Sequence, residues 1–293
     1  MLWVEPGDWD CIGRDQVVRL LRDRSGSGHV PPMELDRVDD SHLDRVDDSH
    51  VVVSPAEPSE DGTTIEEAAV VAIRAGETVS LVELLAVHPG LANARPAGHG
   101  GRSLLHLATD WPGHLPNVAA TIGSLLAAGA DPNVRAIGRH RETPLHWAAS
   151  SDDTAAIDAL LDAGAQINAP GAVIGDGTPL ADATAFGQWT AARRLVDRGA
   201  DVTLWEAAAL GPLPALQQHL AAPTSAGDIT SSFWGACHGG QLETAAYQLD
   251  RGADSNWVGW DGLTPLDAAR RSNATGVLEW LRAHGARSAD ELT

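Results

Sequence analysis

A chain of 293 residues, 43% of them apolar, is long enough for one or two compact domains or one extended stack of repeats, with apolar content for a continuous core. Its formal charge of −20 favours solubility and argues against binding nucleic acid through a broad phosphate-neutralising surface. Two cysteines, Cys11 and Cys237, are too few for a disulfide framework or zinc site and point to a reducing cytoplasm, and no apolar run is long enough to cross a membrane.

Residues 1–60 differ in kind from the rest. They hold 14 Asp or Glu against 6 Arg, and Pro31-Pro32, Pro55, Pro58 and Ser25–Gly28 interrupt any element. They also lack the basic and then apolar segments of a signal peptide. The segment Leu35–His42 recurs unchanged as Leu43–His50, a copy far shorter than a folding unit. The region reads as an acidic, low-complexity, mostly disordered segment with a short helix at Gln16–Arg24. Its duplicated Asp-Asp-Ser-His offers metal-ligand types, but ligands also need rigid placement, and a duplication in a solvated tail is the preferred reading.

Residues 61–293 carry a repeating pattern. Thr64 and Glu67 predict a capping box at the start of a first helix, and Val79–Val87, with Leu81, Val82, Leu84 and Leu85, predicts its partner. The second copy opens at Gly101–Ala108 and carries five extra residues before its closing Gly129, placed at Trp111–Pro116, where they widen the turn. The third copy is complete. Thr143-Pro144 opens a helix, because proline at the first helical position lacks only an N–H that would be orphaned anyway. Leu145, Ala148 and Ala149 then recur at helical spacing, and the alanines let a second helix lie close. Asp152 and Asp153 mark the turn. In the second helix Ile157, Leu160 and Leu161 face the first, Asp158 and Asp162 stay in water, and Gly164 ends it in the left-handed conformation that a Cβ penalises.

Taking Leu145 as a marker, counterparts fall at Ala69, Leu105, Leu180, Leu204, Phe233 and Leu266. The spacing from Leu145 to Gly164 recurs from Leu180 to Gly199, Phe233 to Gly252 and Leu266 to Gly285. The fifth copy, Leu204–Ala222, is degenerate, with Gly211 at its turn. The sixth is read as Ser232–Asn256 and the seventh as Gly262–Ala286. With 10 Trp, 2 Phe and 1 Tyr in the whole chain, the core must come from Leu, Val and Ala. A hairpin this short cannot bury its own apolar face, so stability has to come from stacking.

Thr143-Pro144-Leu145-His146, Thr264-Pro265-Leu266-Asp267, Gly129-Ala130-Asp131-Pro132-Asn133, Gly199-Ala200-Asp201 and Gly252-Ala253-Asp254-Ser255-Asn256 together resemble the ankyrin repeat family over roughly residues 63–289. The resemblance implies an all-α ankyrin-repeat solenoid of about seven helical hairpins, some degenerate, occupying 61–293 after the 1–60 segment. It implies a structural hydrogen-bonding role for His106 and His146, and a concave surface of first helices and projecting fingers that binds another protein. Leu204 follows Leu180 by only 24 residues, so the finger between those repeats is expected to be missing.

On that mapping the concave candidates are Arg74, Asp110, Trp111, Ser150, Ser151, Phe186, Leu210, His238 and Arg271. The finger tips are the basic Arg135–Arg141, the long apolar Ala169–Asp176, and Trp257–Asp261 with two tryptophans. Tryptophan and arginine are enriched at binding hot spots. The partner-binding set is therefore Trp111, Arg135, Arg139, Arg141, Phe186, Trp257 and Trp260, with packing inside the solenoid as the competing role for Trp257 and Trp260. Trp147, Trp205 and Trp234, read as lying in first helical turns, are assigned to packing. No phosphate loop, His-Glu-x-x-His or Gly-x-Ser-x-Gly is present, so neither a catalytic residue, a metal site nor a small-molecule cofactor is expected. The expectation is a non-catalytic, cytoplasmic protein-binding module. Two alternatives stand beside it: an enzyme with an unrecognised site near Cys237-His238, and a nucleic-acid binder using the Arg135–Arg141 finger.

Overall fold

The computed structural model describes residues 64–138 and 140–293. The expectations for residues 1–60, including the duplicated motif and the Gln16–Arg24 helix, lie outside the described residues.

Among the described residues there is no strand, and fourteen α-helices form seven hairpins. In chain order these are α1 (Ile65–Ala75) with α2 (Thr78–Val87), α3 (Leu104–Ala108) with α4 (Val118–Ala127), and α5 (Pro144–Ser150) with α6 (Thr154–Asp162). Next come α7 (Pro179–Ala185) with α8 (Trp189–Asp197), and α9 (Leu204–Leu210) with α10 (Leu213–His219). The last two pairs are α11 (Ala226–His238) with α12 (Leu242–Leu249), and α13 (Pro265–Arg271) with α14 (Thr275–Ala283).

The first helices are set by one local device. His146 Nδ1 accepts from the Thr143 N–H at 3.1 Å and lies 2.9 Å from the Thr143 hydroxyl, which leaves Nε2–H to donate to the Gly177 carbonyl at 3.4 Å. His106 does the same one hairpin earlier, between the Ser103 hydroxyl at 2.8 Å and the Glu142 carbonyl at 3.2 Å. Each imidazole thus caps its own helix and ties it to the next repeat. Glu206 and Asp267 reach back to the Thr203 and Thr264 amides at 2.6 and 3.3 Å, replacing imidazole by carboxylate.

That geometry corrects the register of the fifth copy. Thr203 occupies the capping position of Thr143, so Trp205 stands where Leu145 stands, and Leu204 takes the proline position. The sixth copy also starts earlier than expected. Ser225 caps α11, accepting from the Asp228 amide at 3.1 Å, so Trp234 lies in the third turn of a 13-residue helix. In the first copy Thr64 accepts from the Glu67 amide at 3.2 Å, but the Glu67 carboxylate turns away to His99 at 3.1 Å, so only half of the predicted capping box forms.

Between repeats the turns and fingers bond sideways. Asn93, Asn133 and Asn168 accept from the backbone amides of Asp131, Gln166 and Asp201 at 3.2, 2.7 and 3.0 Å, each one repeat further on. Asn256 accepts from Arg287 in the same way at 2.8 Å. In the third turn Asp153 caps α6 and also accepts from the His114 amide at 2.7 Å, and Asp152 accepts from Ala191 at the start of α8 at 2.6 Å. The widened second turn is where it was expected. Asp158 and Asp162 are not simply solvated, because both bind Arg198 of the next repeat at 2.6 Å.

The aliphatic interior divides in two. One cluster runs from Ala69 to Ala200 and includes Leu105, Leu145, Ile157, Leu160, Leu180 and Leu195. The other runs from Ala208 to Ala286 and includes Leu216, Phe233, Leu266 and Leu281. Replacing the fully buried Leu160 by Ala is expected to cost about 2–5 kcal/mol, read from urea unfolding. Asn133→Ala removes the amide bonds to Gly164 and Gln166 and is expected to cost about 1–2 kcal/mol in the same measurement.

Candidate partner-binding face

Fingers join α2 to α3, α4 to α5, α6 to α7 and α12 to α13. Backbone bonds close three of them: Ala136 N–H to Glu142 at 2.8 Å, Gly171 to Asp176 at 3.3 Å with Ala172 to Gly177 at 3.0 Å, and Gly259 to Leu263 at 3.0 Å. Between α8 and α9, and again between α10 and α11, only six residues connect the helices and no finger forms.

The basic finger spends its first arginine inward. Arg135 donates to the carbonyls of Arg141, at 2.8 Å, and of Pro170 in the following finger. Arg95 behaves alike, donating to Gly101 and, at 2.7 Å, to the Arg135 carbonyl. These guanidiniums staple fingers together. Arg141 is exposed, Arg139 is outside the described residues, and Ile137, against Gly101, is exposed at the tip. Much of the apolar finger Ala169–Asp176 is covered, with Ala169, Gly171 and Ala172 buried and Ile174 outside.

The last finger behaves differently. Trp257 folds onto Gly259 and meets Trp260 edge to face at 6.3 Å, which leaves Trp260 55% exposed beside an exposed Val258. On the turn side Trp111 is 54% exposed, next to Asp110, whose carboxylate holds Arg102 at 2.7 Å. Phe186, the C-cap of α7, is half-buried.

Three expected surface positions are withdrawn into the molecule. Ser150 and Ser151 are both buried, and Gly113 of the widened second turn lies against Ser151. His238 is 5% exposed, because three indoles surround it: Trp189 at 5.3 Å, Trp234 at 5.5 Å and Trp205 at 6.4 Å between ring centroids. Trp205 lies flat on α11 at Gly235, where a Cβ would come within 3.0 Å of the indole. The Trp189 and Trp205 contacts were not visible in the sequence, since they join residues up to 49 positions apart.

Residues 117–205 match the family model for ankyrin repeats, in three copies. That segment carries ankyrin repeats. The capped hairpins on either side of that segment continue the ankyrin pattern. Among solved structures, the crystal structure of the human ASB11 ankyrin repeat domain is 20% identical, with 75% of this chain and 97% of that chain covered and a TM-score of 0.46. A search of curated proteins returns no match.

Within the ankyrin stack the Cys237-His238 pair is not arranged as a nucleophile with its base. The Cys237 side chain is fully buried, and burial pushes its thiol pKa well up, away from the reactive thiolate. Both His238 nitrogens are engaged. Nε2–H donates to the Thr184 carbonyl at 3.2 Å, and Nδ1 accepts from the Ser272 hydroxyl at 2.8 Å.

Burial first, and then the Arg271 guanidinium, lower the pKa of His238 from 6.5 to about 4. The unfolded chain therefore binds a proton between about pH 6.5 and 4 that the native state refuses. His238 favours folding fully above that window and loses the contribution as pH falls through it. The expected loss is about 3 kcal/mol, measured as the pH dependence of urea unfolding, and the corresponding slope should flatten in His238→Gln.

Proposed function

We propose that residues 61–293 act as a non-catalytic cytoplasmic module that grips a protein partner on the concave face and finger tips of the ankyrin stack. The observation that carries this is the last finger. Trp257 already supplies the packing there, yet a second indole, Trp260, stands beside it more than half exposed. A large ring left in water next to an exposed valine is the kind of apolar anchor that dominates protein interfaces. Trp111, Phe186 and Arg141 are the other accessible members of the candidate set. Trp257 and Arg135 support the finger conformations, and Arg139 is retained with its finger. The formal charge of −20 favours a protein over a nucleic acid, and neither a metal nor a small-molecule cofactor is part of this reading.

No described helix is long and apolar enough to cross a membrane. The test is affinity purification from native lysate with mass spectrometry, comparing the natural chain with Trp260→Ala and Trp111→Ala. A surface change of this kind should alter stability by no more than about 0.5 kcal/mol. Recovery of the specific partner should fall about tenfold or more in Trp260→Ala. Equal recovery by both variants would refute the assignment of this face.

A further inference from the structure

Three features coincide at one place in the stack. The fully buried aliphatic residues fall into two clusters, the first ending at Ala200 and the second starting at Ala208, with the half-buried Val202 and Leu210 packed against the first and Leu204 against the second. Second helices pack closely from α2 through α4 and α6 to α8 and more thinly from α10 through α12 to α14, and the α8–α10 interface is thinner still. The asparagine rungs reach Asp201 and then stop, because neither neighbour of the fifth hairpin brings a finger to it. The next amide of that series, Asp254, is met at 3.1 Å by Thr230 of its own hairpin, so that rung does not cross.

Across this place α9 still packs on α7 and α8, with Leu210 against the first cluster, and one imidazole adds a longer-range tie. His238 sits on α11, in the second cluster's half, and donates to Thr184 of α7, in the first cluster's half, 54 residues away. Its other nitrogen is held by Ser272 at the end of α13. Its ring touches Trp189 of α8 on one side and Trp205 and Trp234 on the other. The contact skips the whole fifth hairpin.

We infer that the fifth hairpin is a joint between two separately packed stacks, α1–α8 and α9–α14, latched shut by His238. Rigid units joined by a thin interface open at that interface before either unit melts. A partner touching fingers on both sides of the joint selects one angle between the stacks, whereas one confined to a single stack does not.

Hydrogen exchange followed by mass spectrometry on the full 293-residue chain tests this, comparing His238→Ala and Ser272→Ala with the natural protein. In His238→Ala the amides of α11–α14, which rest on the smaller cluster, should exchange about tenfold faster by a common factor. Those of α1–α7 should keep their protection, with the step falling at residues 200–203. Ser272→Ala, which removes a single bond to the ring, should show the same step in smaller measure, and it decides the matter if the first variant does not fold. Loss of protection that fades with distance from residue 238 in both directions, a uniform increase across all helices, or no change in Ser272→Ala would overturn the joint.

Discussion

The constraint on which everything else depends is that a two-helix hairpin of this length has too little apolar surface to hold itself together. Its interior is completed from outside, and so are its backbone groups. Leu145 and Leu160 are fully buried only because α3–α4 and α7–α8 lie on either side of them. The carbonyls of Glu142 and Gly177, each already closing its own finger, also accept from His106 and His146 of the preceding repeat. The same residues therefore define the single repeat and its attachment to the next, which ties local helix formation to the growth of the stack.

Where this mutual completion is thinnest, the chain changes materials. Around the fifth hairpin the aliphatic filling gives way to indole rings, a glycine contact and a neutral histidine. Large flat side chains can span a gap that Leu and Ala leave open, and an imidazole with both nitrogens engaged can be buried at little cost as long as it stays uncharged. The tryptophans of this chain accordingly divide by role. Trp147, Trp205 and Trp234 fill and bridge, while Trp111 and Trp260 remain in contact with water.

Much of the fold was legible in the residue pattern because helix caps and terminating glycines act locally. Pro144 starts α5, and Gly164 follows α6 with φ at +88°, as their chemistry requires. The missing finger after α8 could likewise be read from the closeness of Leu180 and Leu204. The register of the fifth copy was misread because Leu204 looks like the marker leucine, and only the cap formed by Thr203 and Glu206 identifies Trp205 as its equivalent. The early start of α11 was missed for a related reason: with no finger to form, residues ahead of Ser232 simply continue the helix back to Ser225.

The candidate binding face was less legible, and the physical reason is distance along the chain. Sequence alone determined that hairpins exist, where most of them begin and end, which residues line most apolar stripes, and that tryptophans and arginines cluster at finger positions. Whether a given one of those side chains faces a partner or a neighbouring repeat was decided by tertiary structure. Arg135 is turned onto the Pro170 carbonyl, Ser151 is roofed by Gly113, and His238 is enclosed by Trp189 and Trp205. These contacts depend on the offset of one repeat over the next, which is a property of stacked hairpins and is encoded in no single one of them.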